Sequence, residues 1–220
     1  MFAKIYRELE DGATLAALGY DILIKRRSAG QIHLPTGQVV ACDPLTHPET
    51  EPFDFEVPPG TYPVRLCIAD MRDEIVVAYA IIEIAPEPAS RWKIATVPSE
   101  DTSLWSRDEY GFTGVSSLGG FMDAQTAARL IEYNALVGPD EDNEVERSME
   151  STIRRAQKRD HAWANIEHLC LGDGNLIVCS SGYGEGCFRT YVGRNDAGEI
   201  TRIVTDFQVL DLRFPSFGSL

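Results

Sequence analysis

The stretch that decides the fold is GTYPVRLCIADMRDEIVVAYAIIEI, residues 60–84. In its first half, Val64, Leu66 and Ile68 alternate with less apolar side chains, which is the period-two pattern of a β-strand. A charged turn at residues 70–73 separates this half from a second run that is apolar on both faces, as expected of a central strand. The stretch therefore predicts a β-hairpin in the middle of the main sheet.

Further strands and two helices are predicted on either side of this hairpin. The other predicted strands cover residues 20–27, 31–42 with a turn at 35–37 between two short extended pieces, 112–118, 176–180, 188–194 and 200–210. Asp123 is a good N-cap for the first helix. The apolar residues that this helix is expected to bury are Ala127, Ala128, Ile131 and Ala135. After an acidic run, a second helix is expected to bury one face that consists of Val145, Met149, Ile153 and Ala156.

Most of these elements follow one another as hairpins, and the repeated alternation of strand and helix that builds a parallel sheet is absent from the pattern. We therefore predict an α+β fold, with mostly antiparallel β-sheet and two or three helices packed alongside. A chain of 220 residues is long enough to bury a substantial core. We expect a single globular domain over residues 1–220.

The composition restricts the classes of partner. The formal net charge is −14, which argues against nucleic acid because phosphate-backbone binding needs clustered Lys and Arg. The same charge favours a basic protein partner, since it would speed the encounter between the two. No stretch reaches the roughly 20 apolar residues that span a bilayer, so we expect no membrane contact. Five cysteines without close pairs indicate reduced thiols and a cytoplasmic location, and the oligomeric state stays open.

A glycine-rich segment near the C-terminal end is the first candidate site. Ser181–Gly186 reads SGYGEG, with three glycines in five positions and one carboxylate among them. Glycine permits positive φ angles and close backbone approach, so the segment is either a tight structural corner or part of a site. The candidate binding residues are Gly182, Tyr183, Gly184, Glu185 and Gly186.

A second candidate is a cluster of carboxylates. Asp43, Asp123, Glu185 and also Asp206 lie at the ends of predicted elements or in turns, where sites are often built. Together they could bind a hard cation such as Mg²⁺ or Ca²⁺, or act as acid and base. The structural alternatives are a turn closed by Asp43 and a helix capped by Asp123. A shared cation requires the carboxylates of Asp43, Asp123 and Glu185 to converge within about 5–6 Å on one pocket.

The cysteines and histidines give weaker indications. Cys187 could be a nucleophile only with a base such as His161 or His168, two histidines that we expect to share a helix face. The structural alternative is a cysteine without a catalytic role. Cys170, Cys179 and Cys187 are nine and eight residues apart, which does not match the spacing of structural zinc sites. We expect no metal and no cofactor.

The order of several motifs resembles the bacterial family known as domain of unknown function 4241, over about residues 30–210. The matching segments are Leu34–Gly37, Asp43–Leu45, Val57–Val64, Phe121–Asp123, Ser181–Gly186, Tyr191–Gly193 and Asp206–Phe207. This chain carries Tyr183 and Glu185 where similar proteins have Trp and Asp, and Ser116 where they have Asp. The resemblance implies a fold group and brings no settled activity with it.

Two functions are compatible with these features. The first is a non-catalytic acidic protein-binding module, with an immunity protein that neutralises a toxin-like basic partner as one form. The second is a metal-assisted hydrolase that uses Asp43, Asp123 and Glu185. Catalytic geometry tolerates little displacement, so the longer side chain of Glu185 and the uncharged Ser116 favour the binding function.

Overall fold

The computed structural model describes residues 11–17, 20–71, 74–99, 111–137, 142–157 and 163–210. Strands account for 48% of the chain and helices for 17%, with two helices packed against large antiparallel sheets. The predicted α+β fold is therefore confirmed. No helix within the described ranges is long and apolar enough to cross a membrane.

Twelve strands, two α-helices and one short 3₁₀ helix make up the described fold. The strands are β1 (Thr14–Ala17), β2 (Tyr20–Leu34), β3 (Val39–Cys42), β4 (Gly60–Met71), β5 (Glu74–Glu83), β6 (Arg91–Ile94), β7 (Phe112–Gly114), β8 (Leu118–Asp123), β9 (Trp163–Ile166), β10 (Leu176–Ser180), β11 (Gly186–Arg194) and β12 (Ile200–Asp206). The helices are α1 (Ala124–Val137), α2 (Glu144–Gln157) and the 3₁₀ helix (Leu169–Leu171).

The strands form two antiparallel sheets. The large sheet has the order β1-β2-β4-β5-β12-β11-β6, and β7 also pairs with β11. The predicted hairpin is confirmed as β4–β5 in the interior of this sheet, where it pairs with β2 on one side and β12 on the other. Both flanking ladders satisfy its backbone, and most of its apolar side chains are buried, on both faces.

The small sheet, of order β3-β8-β10-β9, lies between two apolar cores. Alternate residues of β3 show this, because Val39 and Ala41 join the core shared with the large sheet. Val40 and Cys42 join a second core with residues of α1 and α2. Side chains of successive strand residues point to opposite faces, so the small sheet is the middle layer of the described fold.

The strand predicted over residues 112–118 is in fact two strands, β7 and the longer β8. Gly119 and Gly120, which directly follow the predicted strand, lie inside β8. A Cβ at Gly119 would come within 2.6 Å of the Phe207 ring, and one at Gly120 within 2.8 Å of the carbonyl oxygen of Ile177. These glycines allow close packing within the sheet, a second use of glycine that the sequence pattern does not distinguish from a turn.

The predicted buried face of α1 is wrong at three of its four positions. Ala127 is buried, but Ala128, Ile131 and Ala135 are exposed, and the helix buries Thr126 and Leu130 with Ala127 instead. Asp123 ends β8 and caps α1 directly, so the end of the strand determines which side of the helix faces the sheet.

The second helix agrees with its prediction where its side chains are described. Val145 and Met149 are buried and Ile153 packs beside them, while the side chain of Ala156 lies outside the described residues. An ion pair between Glu150 and Arg154 at 3.1 Å spans one turn of the exposed face. The amphipathic pattern of α2 therefore sets its orientation on the small sheet.

Candidate functional site

Asp43 follows β3 and is fully buried. Its Oδ2 accepts hydrogen bonds from the backbone amides of Val115 at 2.8 Å and Ser116 at 2.7 Å. Its Oδ1 accepts from the Ser116 hydroxyl at 2.7 Å, and from the amides of Leu45 and Thr46 at 3.2 and 3.3 Å. Five donors thus converge on one carboxylate, which ties the turn after β3 to the loop between β7 and β8.

The hydrogen bonds of Asp43 also determine its ionisation. Burial alone raises the pKa of a carboxyl group, but the hydrogen bonds from the Ser116 hydroxyl and from the Ser116 and Val115 amides outweigh it, so the pKa of Asp43 lies below its ordinary value. A low pKa keeps this group in the charged form. The charged form is the one that accepts from all five donors, so the structural role and the ionisation agree.

The loop held by Asp43 supports the glycine-rich segment. Ser117 has a φ of 67°, a left-handed conformation that is uncommon for serine. Its carbonyl oxygen accepts a hydrogen bond from the amide of Ser181 at 3.0 Å. On the far side of the segment, Gly186 pairs with Gly114 in the ladder between β11 and β7. Asp43 therefore positions both ends of the glycine-rich segment through residues 114–117.

The segment itself is a tight corner closed by its own hydrogen bonds. Ser181 is fully buried, its hydroxyl donates to the carbonyl of Gly184 at 2.7 Å, and its own carbonyl accepts from the Gly184 amide at 3.0 Å. Gly182 has a φ of 59°, and a Cβ there would lie 2.7 Å from the carbonyl oxygen of Phe207. Gly182 is thus required by both conformation and space.

Three side chains on or beside this corner are exposed. Tyr183 is 63% exposed and Val115 is 47% exposed, and Glu185 is also exposed. The Tyr183 hydroxyl lies 3.8 Å from the sulfur of Met71. Partial burial, and to a smaller extent the charge of Glu74, raise the pKa of Tyr183. We call Val115, Tyr183 and Glu185 the glycine-loop surface.

Asp123 lies at the other end of the β3–β8 ladder. Val39, the first residue of β3, pairs with Asp123, and Cys42, the last, pairs with Gly120. Asp43 follows Cys42 and is therefore four residues further along the chain than Val39, the partner of Asp123. Four residues of strand correspond to about 13 Å. The Asp123 carboxylate is buried and accepts from the amide and hydroxyl of Thr36, both at 2.9 Å, and from the amide of Gln125 at 2.9 Å. It caps α1 and holds the turn after β2.

The structure does not bring the predicted carboxylates together. Asp43 and Asp123 anchor opposite ends of the small sheet, and Glu185 is exposed on the loop that Asp43 supports. Asp206 ends β12, where its Oδ1 accepts from the amide of Gln208 at 2.8 Å. Among the residues that the structure describes, no group of three or more His, Cys, Asp or Glu could hold a metal ion.

The proposed pairing of Cys187 with His168 is not formed either. Cys187 pairs with Thr113 of β7, and its thiol lies 3.7 Å from the carbonyl oxygen of Gly111. It follows the glycine-rich segment, which leaves β10 at Ser180. His168 lies beyond the opposite end of β10 and accepts a hydrogen bond from the Cys170 amide at 3.2 Å. The expected helix through this region is a strand, β9, because Trp163–Ile166 pairs with β10. His161 lies outside the described residues.

Sequence reasoning missed two features around these sites. Ser117 adopts a left-handed conformation without being glycine, and serine gives little signal for this. Leu169 lies in an apolar run with Cys170 and Leu171 that is typical of a core, yet it is 96% exposed. The turn-forming residues GDGN that follow, 172–175, were the one available sign that the chain changes direction there.

Comparison with known proteins places these residues in a family. A family model described as protein of unknown function (DUF4241) matches residues 32–205. Searches of curated proteins and of solved structures found no match. The matched region contains both buried aspartates, their donors and the whole glycine-rich segment. Since the match covers most of the chain, the protein belongs to the DUF4241 family, whose function is unknown.

Proposed function

We propose that the chain is a non-catalytic protein-binding module whose contact site is the glycine-loop surface. The observation that carries this proposal is Tyr183, a ring 63% exposed on a loop whose backbone is held by a buried serine and a buried aspartate. Tyrosine is among the side chains most enriched at interface hot spots. A loop that is already ordered costs little additional conformational entropy on binding.

The chemistry of the surface supports a basic partner. Glu185 is exposed beside Tyr183, and the whole chain carries a formal net charge of −14. An acidic surface attracts a positively charged protein at long range, and an aromatic ring adds contact area at short range. An immunity protein that neutralises a basic toxin is the specific form of this function that we propose.

The arrangement of the buried carboxylates supports binding over hydrolysis. Asp43 receives five hydrogen bonds from its own chain, and Asp123 receives its own from Thr36 and Gln125. A carboxylate whose lone pairs are occupied in this way is a poor cation ligand or general base. The role of the two groups is then structural anchoring, which positions the loop that makes contact.

A capture experiment tests the proposal. Tagged wild-type protein and the Tyr183→Ala, Glu185→Ala and Tyr183→Phe variants are used to capture partners from native cell lysate, and the captured protein is then purified and titrated calorimetrically. Tyr183→Ala is expected to weaken binding about tenfold or more, as removal of an interface hot spot does. Tyr183→Phe keeps the ring and is expected to bind nearly as the wild type does.

Two further measurements complete the test. Glu87→Ala, which removes an exposed glutamate from the turn after β5, is the matched control for Glu185→Ala and is expected to bind as the wild type does. If the partner is a toxin, its expression alone arrests growth and coexpression with this chain restores it. Equal affinity of the wild type and Tyr183→Ala for a purified partner would remove the glycine-loop surface from the interface.

A further inference from the structure

A cleft of about 360 Å³ opens at the end of the small sheet opposite the glycine-loop surface. His33 of β2 lies on one side, and the segment from Glu167 to Asn175 forms the other. Asn175 connects the two sides, because its side chain accepts from the His33 amide at 2.7 Å and donates to the carbonyl of Gln31 at 2.8 Å. The cleft is therefore a built feature, with a volume in the range of binding pockets.

Leu169 stands at this cleft on a firmly held turn. It is 96% exposed, although Leu171, two residues later, is buried. His168 caps the turn by accepting from the Cys170 amide, and the His168 ring packs on Tyr133 of α1 with the ring centres 5.4 Å apart. A single exposed leucine is ordinary, but a leucine on an ordered turn beside a cleft offers apolar surface that a partner can bury.

The charges around the cleft are mostly negative. Glu167 and Asp173 both line it and are both exposed. Glu144 of α2 lies close behind, with its carboxylate 3.4 Å from the Nε2 atom of His168. Arg129 of α1 contributes a positive charge, since its side chain packs against Gly172 in the same turn. Arg147 lies 3.8 Å from the Glu144 carboxylate and offsets its charge, so Glu167 and Asp173 against Arg129 leave a net negative charge at the cleft that is complementary to a cation.

We propose that this cleft docks a segment of a protein partner that carries an apolar side chain next to a lysine or arginine. The apolar side chain packs on Leu169, and the cationic group lies between Glu167 and Asp173. The choice of a protein as the occupant rests on the proposed protein-binding function. It adds a second contact site at the opposite end of the small sheet, with its own residues and its own recognition chemistry.

A selection from displayed random peptides, followed by titration of the enriched peptides, tests the inference. The peptides are selected on the folded wild-type protein, synthesised and titrated against wild type and variants. We expect the enriched sequences to place an apolar residue beside Lys or Arg. Leu169→Ala is expected to weaken binding about tenfold, because it removes most of the apolar surface that a partner would bury there. Glu167→Gln and Asp173→Asn are each expected to weaken it about threefold, and added salt to weaken it further.

Matched controls come from the same chain. Leu136→Ala removes an 84% exposed leucine that is outside the cleft lining, and Glu87→Gln removes a distant exposed carboxylate; neither is expected to change the affinity. Enriched peptides that lack a basic residue, or that bind Leu169→Ala as tightly as wild type, would overturn the inference. So would a selection that enriches no common sequence.

The affinities of the variants distinguish failure of one proposed site from failure of the other. Peptides that lose affinity on Tyr183→Ala but keep it on Leu169→Ala would refute the cleft and leave the glycine-loop surface in place. Peptides with the opposite response would support the cleft whatever the lysate experiment shows for the glycine-loop surface. Thermal unfolding monitored by circular dichroism checks that each variant keeps its fold. We expect it to do so because all of the replaced side chains are exposed, so that a change in affinity reports a lost contact with the peptide.

Discussion

Replacing Asp43 by Asn is the most direct test of the anchor that supports the glycine-loop surface. Asn is nearly isosteric, but one of its two terminal groups is an NH₂ that cannot accept a hydrogen bond. If the NH₂ replaces Oδ2, it faces the amides of Val115 and Ser116; if it replaces Oδ1, it faces those of Leu45 and Thr46. In either orientation, two partly buried N–H donors lose their acceptor.

The expected cost follows from those two donors. An unsatisfied buried donor costs about 1–3 kcal/mol, so two of them set a range of about 2–6 kcal/mol. Because these donors are partly buried, the loss in the free energy of unfolding of Asp43→Asn should lie in the lower half of that range. Urea unfolding monitored by tryptophan fluorescence, with linear extrapolation to water, measures this change. Asp173→Asn makes the same chemical change at an exposed site, and should cost less than about 0.5 kcal/mol.

The same variant tests whether Asp43 acts through the loop at residues 115–117. Ser116→Ala removes one hydrogen bond to the charged carboxylate and should cost about 1.5–3 kcal/mol. Because the two side chains are direct partners, the double variant should lose less than the sum of the single losses. In Asp43→Asn, the Ser181 and Gly184 amides should exchange hydrogen faster than in wild type. A stability loss below about 1 kcal/mol, with unchanged exchange at Ser181, would refute the anchor.

Three further predictions follow from the same geometry. Gly182→Ala should destabilise the fold by about 2 kcal/mol or more, because it combines a positive φ with a Cβ only 2.7 Å from the Phe207 carbonyl oxygen. Its control is Gly198→Ala, where φ is 91° but the space around the Cβ position is open. This control should cost about 1 kcal/mol in the same urea assay. Folding lowers the pKa of Asp43. The stability that its carboxylate contributes is therefore complete above the unfolded pKa of about 3.9 and is lost as the pH falls through the folded pKa. In acid titrations monitored by circular dichroism, the stability difference between wild type and Asp43→Asn should shrink below about pH 4. A thiol reagent should modify at most two of the five cysteines in the folded protein, because Cys42, Cys67 and Cys179 are buried. Burial also raises the pKa of Cys179 to about 12, which keeps it in the unreactive thiol form. Unfolding should make these three thiols reactive.

Outcomes that contradict these three are equally clear. Equal costs for the two glycine substitutions would mean that the Phe207 contact does not constrain Gly182. A stability difference for Asp43→Asn that is constant down to about pH 2 would mean that its pKa is not lowered by folding. Rapid modification of a third thiol in the folded protein would contradict the burial of these cysteines.

Local patterns in the sequence determined the fold class and several elements. The β4–β5 hairpin and α2 were predicted because their apolar residues repeat with the period of a strand or a helix, and that period depends only on neighbouring residues. The N-cap role of Asp123 was predicted as the structural alternative to a catalytic one, since a capping side chain acts on the amides that follow it directly. The amide of Gln125 is its partner, two residues away.

Tertiary structure alone decided how the candidate site is arranged. Whether Asp43 and Asp123 meet depends on the register of β3 against β8, which pairs residues more than 75 positions apart. The exposed side of α1 depends on the end of β8, and the exposure of Leu169 depends on a turn whose capping residue, His168, packs on Tyr133 of α1. These outcomes are set by contacts between distant segments, which residue type and spacing along the chain do not encode locally. The sequence by itself therefore determined the elements and the anchoring residue types, and packing determined that the two aspartates anchor opposite ends of one sheet.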